Sequence, residues 1–361
     1  MFSWQFNGLH RYRGHLAFVL LSGVVLGLLA AETHLKQVPP ADQSSPVNRY
    51  GQSKPRPKAP QAIRIATYNM LNLADHNDDP ALSGEHDDMQ YALTKQRGEK
   101  LAEAIRAMDA DVLALQEIES LEALTWFRDT YLDGMGYDYI ASEDVGYYRG
   151  FECAVLSRYP LSDVEIWADA DLMNLPRPGV GWTDVPAGTT SLGYARSPLK
   201  VVVDGPDGYK LLLVVLHHKS GGSYKWHREA EAIKTNQLVA AMREQDPSAN
   251  IIVLGDFNAA PWDKSYRLYI ENGMIDSLAH RTMQIKYDPD APLYKTHESN
   301  RVLDYVLLNS AAHRELVLGS PHVYGTLMPP DSYDWRNDPH PPGYAADHYP
   351  VIVDLMPQDR H

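Results

Sequence analysis

From residue 61 onward the chain alternates short apolar runs with longer amphipathic stretches. The short runs fall at 63–68, 112–115, 152–156, 199–203, 211–216, 251–254, 302–308 and 349–353. They are rich in Val, Ile, Leu and Tyr, as strands are. Several, 251–254 among them, are apolar without alternation, the pattern of strands covered on both faces. Helical periods lie between: Leu101, Ala104, Ile105 and Met108 stand at i, i+3, i+4 and i+7, and a longer pattern runs over 225–243. Strands interleaved with helices predict an α+β chain of two packed sheets with helices outside. The stretches 162–197 and 320–346 are rich in Pro, Gly, Asp and aromatic residues and read as long loops, which are often functional.

Ahead of this domain, Arg11 and Arg13 precede an uncharged apolar run over 16–31, the pattern of an export signal. The run is shorter than the roughly 20 residues that span a bilayer comfortably. Ala30 and Ala31 suit a cleavage point, but Leu28 or Leu29 then falls where a small residue is wanted, so an uncleaved anchor stays open. Prolines 39, 40, 46, 55, 57 and 60 mark an extended linker. The expected organisation is a signal peptide or anchor over 1–35, a disordered linker over 36–60 and a catalytic domain over 61–357. The expected location is periplasmic or extracellular, or tethered to the membrane through 16–31.

A length of 361 residues allows one large or two ordinary domains, and 44% hydrophobic with 22% charged residues excludes disorder of the whole chain. Lys and Arg number 33 against 47 Asp and Glu, a net charge of -14, which excludes a protein that coats nucleic acid by sequence-independent electrostatics. Bound cations or a local basic groove can still bring a polyanion to it. Cys153 is the only cysteine, so no intrachain disulfide forms.

The candidate chemistry concentrates where apolar strands stop. Thr67-Tyr68-Asn69, Leu115-Gln116-Glu117, Phe151-Glu152-Cys153, Leu216-His217-His218-Lys219, Gly255-Asp256-Phe257-Asn258 and Asp347-His348-Tyr349-Pro350 each turn polar there. Brought to one rim, such Asn, Glu, Asp and His side chains suit a hard divalent cation and a phosphate. Magnesium needs only one or two carboxylates, which Glu117 with Asn69 satisfies, and manganese or calcium are alternatives. Zinc wants His and Cys in closer array. Alternation along a strand lets only one of His217 and His218 face the rim.

Asn69 after a first strand, Leu-Gln-Glu at 115–117, Gly-Asp-Phe-Asn at 255–258, Leu-Asp-Tyr at 303–305 and Asp-His-Tyr-Pro at 347–350 together resemble the endonuclease/exonuclease/phosphatase superfamily. The likeness is nearest to its deoxyribonuclease I branch. It implies a four-layer α/β/β/α sandwich of two packed mixed sheets with the site at one edge. It implies Glu117 as the principal metal ligand helped by Asn69, with Asp347 tuning the site or holding a second ion. Asp256 resembles the residue that orients or deprotonates the attacking water, and Asn258 the amide on the phosphate. His348, with Asp304 fixing its tautomer, resembles the histidine that stabilises the phosphorane. His217 with Glu152 resembles a second His/carboxylate pair, a candidate acid for the leaving oxygen, and the family pattern favours His217 over His218. Arg196 resembles an arginine that grips a neighbouring phosphate, although Glu152 and Arg196 also read as a structural ion pair.

The implied activity is magnesium-dependent hydrolysis of a phosphodiester, DNA or RNA, with no obligate protein partner. The same constellation serves sphingomyelinases and inositol-phosphate phosphatases, and a non-catalytic binder on the same fold is the rival of another class. Lys219, Lys225, Arg228 and Lys234 read as a solvated helix face. Tyr324, Tyr333, Trp335 and Tyr344 either stack on bases or tie the late loop down. His297, His313 and His322 show no partner pattern and read as surface.

Overall fold

The structure, a computed structural model, describes residues 50–145, 149–279, 291–326, 333–334 and 337–358. The apolar run over 16–31 and Trp335 lie outside them. Among the described residues no helix is long and apolar enough to cross a membrane. The strands are β1 (Ile63–Leu73), β2 (Val112–Ile118), β3 (Tyr139–Ser142), β4 (Glu152–Ser157), β5 (Leu161–Ile166), β6 (Leu199–Asp204), β7 (Lys210–His217), β8 (Asn250–Asp256), β9 (Ile275–Asp276), β10 (Asp304–Leu308), β11 (His322–Val323) and β12 (Val351–Leu355). The α-helices are α1 (Lys95–Met108), α2 (Leu121–Tyr131), α3 (Lys225–Gln245), α4 (Lys264–Glu271) and α5 (Ser310–Glu315). All eight apolar runs are strands. The loop reading of 162–197 is corrected at its start, because β5 lies there. Asp163, Val164 and Glu165 in that edge strand are exposed, so it carries no apolar period.

Alternation sorts the strand side chains into layers. Ile63 and Ile65 of β1 meet Leu211, Leu213 and Val215 of β7 in a central core, with Val112, Val155, Ile252 and Val306. The opposite face of the first sheet, Ala66, Tyr68, Leu113 and Leu115, packs on Leu101 and Ile105 of α1 and Phe127 of α2. That of the second, Val214, Leu216, Ile251 and Val253, packs on Val239 of α3 and Tyr266 and Tyr269 of α4. The result is the four-layer α/β/β/α sandwich. The sheets run β11-β12-β1-β2-β4-β3 and β5-β6-β7-β8-β10-β9.

Strand direction decides which ends meet. β1 and β2 are parallel, with β12 and β4 antiparallel to them; β7 and β8 are parallel, with β6 and β10 antiparallel. The ends of β1, β2, β7 and β8 therefore share one edge of the sandwich with the starts of β4, β6, β10 and β12.

Residues 50–60, expected as unpacked linker, lie along the domain. Gln52 N–H donates to Val323 O and its carbonyl accepts from Gly325 N–H, both at 2.8 Å, while Arg56 N–H donates to His322 Nε2 at 3.2 Å. Ala59 N–H reaches Asp354 Oδ2 at 3.1 Å. The segment satisfies backbone groups that the short strand β11 leaves unpaired at the sheet edge. It also covers His322, which is buried and not at the surface as expected.

Candidate active site

Period-two alternation carries four polar side chains to the rim where the central core ends. Asn69 shares the parity of Ile63 and Ile65, His217 that of Leu213 and Val215, Asp256 that of Ile252 and Leu254, and Asp304 that of Val306 and Leu308. Asp256 is the register partner of both His217 and Asp304, so the three stand side by side. Glu117 breaks the rule, since alternation points Gln116 inward and Glu117 out. A register shift beside it and a left-handed φ of 62° turn Glu117 back to the cleft.

Asp256 Oδ2 is the hub of the cluster. Asn258 Nδ2 lies 2.9 Å from it, Asn69 Nδ2 3.3 Å, His217 Nε2 3.3 Å and His348 Nε2 3.8 Å. Asn258 N–H also donates to Asp256 Oδ1 at 2.8 Å. Asn69 Nδ2 donates to Glu117 Oε1 at 3.1 Å as well, and Asn72 N–H holds Glu117 Oε2 at 2.9 Å. His348 Nδ1 lies 2.8 Å from Asp304 Oδ2. Arg97 of α1 braces this wall by donating to the carbonyls of Met70, Leu71 and Ala345.

Burial and neighbouring charge split the titrating groups. Burial, opposed by His348 and assisted by Asp304, pushes the Asp256 carboxyl up to about 7. Burial alone would lower His348, but Asp304, Asp256 and Asp347 hold its imidazole well above the usual range. His217 goes the other way, driven well below that range by burial and then by Arg196 and His348. One imidazole is thereby kept charged and the other neutral beside the same carboxylate.

Asn69, Glu117, His217, Asp256, Asn258, Asp304 and His348 are brought together as the motifs predict. His218 turns away to Glu231 Oε2 at 3.2 Å and the Tyr269 hydroxyl at 2.9 Å, under α3 and α4. The expected pairing of His217 with Glu152 is not made: His217 Nδ1 has no hydrogen-bond partner, and its Nε2 faces Asp256 and Glu117, the latter at 3.7 Å. Alternation supplies the reason. Cys153 has the parity of the central core and Ala154 that of the helix side, which Glu152 shares. Arg196, just ahead of β6, is buried, and Ala195 N–H anchors its loop to Glu231 Oε1 at 2.9 Å.

Asp347 meets a residue read as surface. His297 is buried, with Nε2 3.5 Å from Asp347 Oδ2 and its ring edge-on to His348 at 4.5 Å between centroids. A tight return from His297 to Arg301 leads into β10 and brings it there. The Ser299-Asn300 pair ahead of Leu-Asp-Tyr is the turn signal that reveals this position. Arg149, also missed, donates to Asn72 Oδ1 at 3.2 Å over the Phe151 ring. Arg228, expected on a solvated face, is buried and donates to the carbonyls of Lys219 and Gly221 at 2.8 Å. Tyr344 ties the late loop down, its hydroxyl 3.1 Å from Glu298 Oε2 and its ring stacked on His340.

The donor set fits a divalent cation. Asp256, Asp304 and His348 each offer an atom within 4.8 Å of the others, as do His297, Asp347 and His348. Asp347 Oδ1 is buried with no hydrogen-bond partner, an anionic oxygen suited to a cation. Asn69 fits less directly, because its oxygen accepts from Leu71 N–H at 3.0 Å while its amide nitrogen faces the carboxylates.

Residues 66–348 match the Endonuclease/Exonuclease/phosphatase family, and the chain belongs to that family of phosphoester hydrolases, whose members in general use divalent ions. None of the curated proteins matches it in sequence. Among solved structures, the human nocturnin catalytic domain with bound sulfate is similar at 19% identity and a TM-score of 0.51, covering 82% of this chain and 95% of that one. A family protein from Bacteroides thetaiotaomicron matches at 18% identity and 0.51, over 84% and 99% of the two chains. Truncated Caenorhabditis elegans TDP2 matches at 13% identity and 0.50, over 81% and 97%. Likeness at such identities is likeness of fold.

Proposed function

We propose that the chain is a magnesium-dependent phosphodiesterase that cleaves nucleic acid with an activated water. The observation that carries this is the convergence of Asn69, Glu117, His217, Asp256 and His348 on one cleft from separate strand ends. Glu117 would hold the cation, with Asp347 grouped with His297 and His348. A magnesium ion bound there would neutralise charge building on the phosphate oxygens. Asp256, raised to about 7, is poised near neutrality to take a proton from water. Asn258 and Asn69 hold its carboxylate in place. His348, kept cationic by Asp304, faces the same hub through Nε2 and stabilises the charge that develops at phosphorus. Arg149 and Arg196 flank the site, as adjacent phosphates of a polyanion require.

One observation supports a second reading. Without a His217–Glu152 pair the feature that favoured DNA is incomplete, and a phospholipid head group or inositol phosphate becomes the alternative ester.

Release of nitrophenol from bis-p-nitrophenyl phosphate tests the catalysis. Wild-type protein should turn over with magnesium and stop on chelation. Glu117→Gln and His348→Ala should each lose at least about a hundredfold in kcat with the thermal midpoint nearly unchanged. Near wild-type rates in either variant would sink the assignment. Plasmid DNA, RNA, sphingomyelin and inositol phosphates assayed side by side then choose the substrate.

A further inference from the structure

Between Asp75 and Thr94 the chain carries Asp75, Asp78, Asp79, Glu85, Asp87 and Asp88 and no lysine or arginine. Like charges crowded into one loop repel, yet this loop buries Asp75 and Asp88. Asp75 Oδ1 accepts from Asn77 N–H at 2.6 Å, and Asp88 Oδ2 accepts from Asp79 N–H at 3.2 Å. Carboxylate oxygens of Asp78, Asp87 and Asp88 lie within 4.8 Å of one another. Asp88 forms the floor of this group. It is 1% exposed, and its Oδ1 has no hydrogen-bond partner. Among the described residues no lysine or arginine pairs with any of these carboxylates. A buried carboxylate with one oxygen lacking a donor, grouped with two further carboxylates, lacks a cation.

We propose that Asp78, Asp87 and Asp88 bind a calcium ion at a site distinct from the active centre. The ligands are oxygens on an irregular loop, which suits the six to eight flexible contacts of calcium better than the strict octahedron of magnesium. Backbone carbonyls and water complete the shell. The loop closes at its base through Leu93 N–H on Ala74 O at 3.0 Å, just after Asn72, whose N–H holds Glu117. An ion that stiffens the loop therefore steadies the residue that positions Glu117.

The test uses the full chain carrying Glu117→Gln, which removes the main active-site ligand, dialysed against chelator and titrated with calcium chloride alone. Calorimetry should find one calcium per chain, and the thermal midpoint should rise with calcium. Terbium should bind in calcium's place and luminesce through Trp126, whose ring stands 5.4 Å from that of His76 in the loop. Asp88→Asn should abolish binding, and Asp78→Asn, at an exposed position that the fold tolerates, should weaken it at least tenfold. Absence of calcium binding in the Glu117→Gln chain, or undiminished binding in Asp78→Asn, overturns the proposal. Equal affinity for magnesium overturns the choice of ion.

Discussion

Replacing Asp304 by Asn removes a charge and keeps the shape, so its cost can be worked from the contacts it makes. His348 Nδ1 lies 2.8 Å from Asp304 Oδ2 and 3.1 Å from Oδ1, with both residues buried. A hydrogen bond to a charged group contributes about 1.5–3 kcal/mol, and about 1.36 kcal/mol moves a pKa by one unit. The basic limb of the pH–rate profile should therefore move about one to two units towards acid in Asp304→Asn. The sign follows from the working form. The imidazolium of His348 is raised against burial chiefly by Asp304, so activity is present below its pKa and lost as pH rises through it. With Asp304 neutralised, that loss comes at lower pH. On the basic side kcat/KM should fall about ten- to hundredfold. KM should change little, because Asp304 acts on His348 and on the Asp256 carboxyl rather than on the substrate. Rates on bis-p-nitrophenyl phosphate from about pH 5 to about pH 10 at saturating magnesium read both effects. A basic limb that stays in place, with kcat/KM intact, refutes the cationic role of His348.

Two further outcomes concern the scaffold. Asp354 accepts from Arg64 Nε at 2.7 Å and Nη2 at 3.0 Å with both side chains buried, so Asp354→Ala strands a guanidinium and should cost about 3–5 kcal/mol in urea unfolding while kcat per folded molecule is unchanged. His322 is neutral in the fold, with Nδ1 on Ser320 O at 2.7 Å and Nε2 accepting from Arg56, and burial lowers its pKa to about 4. The unfolded chain takes up this proton first, near its usual value of about 6.5. Stability is therefore fully present above about 6.5 and falls by about 3 kcal/mol as pH drops from there to about 4, a slope that His322→Gln should flatten in pH-dependent urea melts. A variant with the wild-type slope would assign that acid sensitivity to other groups.

The strand pattern was legible because burial on two faces writes itself as unbroken apolar runs, and the eight runs became eight strands. The edge strand β5 was not, since its exposed Asp163, Val164 and Glu165 follow no such rule. The choice of His217 over His218 was legible through period-two alternation and the family pattern. His297 and His322 were not, because their burial comes from partners far along the chain: Asp347 and His348 for one, the segment around Arg56 for the other. The Glu152 pairing was misread for a related reason, as a motif records residue types and not the face on which a strand presents them.

By itself the sequence determined that Asn69, His217, Asp256 and Asp304 stand where apolar strands end, because local alternation and composition reach that far. Only the tertiary structure decided that those ends share one edge, since strand directions in two sheets bring them together. It alone turned Glu117 into the cleft, through a bulge and a left-handed backbone that run against the alternation of β2. It also set opposite charge states on two histidines beside one carboxylate, because burial and long-range charge, unlike spacing along a strand, depend on what the rest of the chain packs around them.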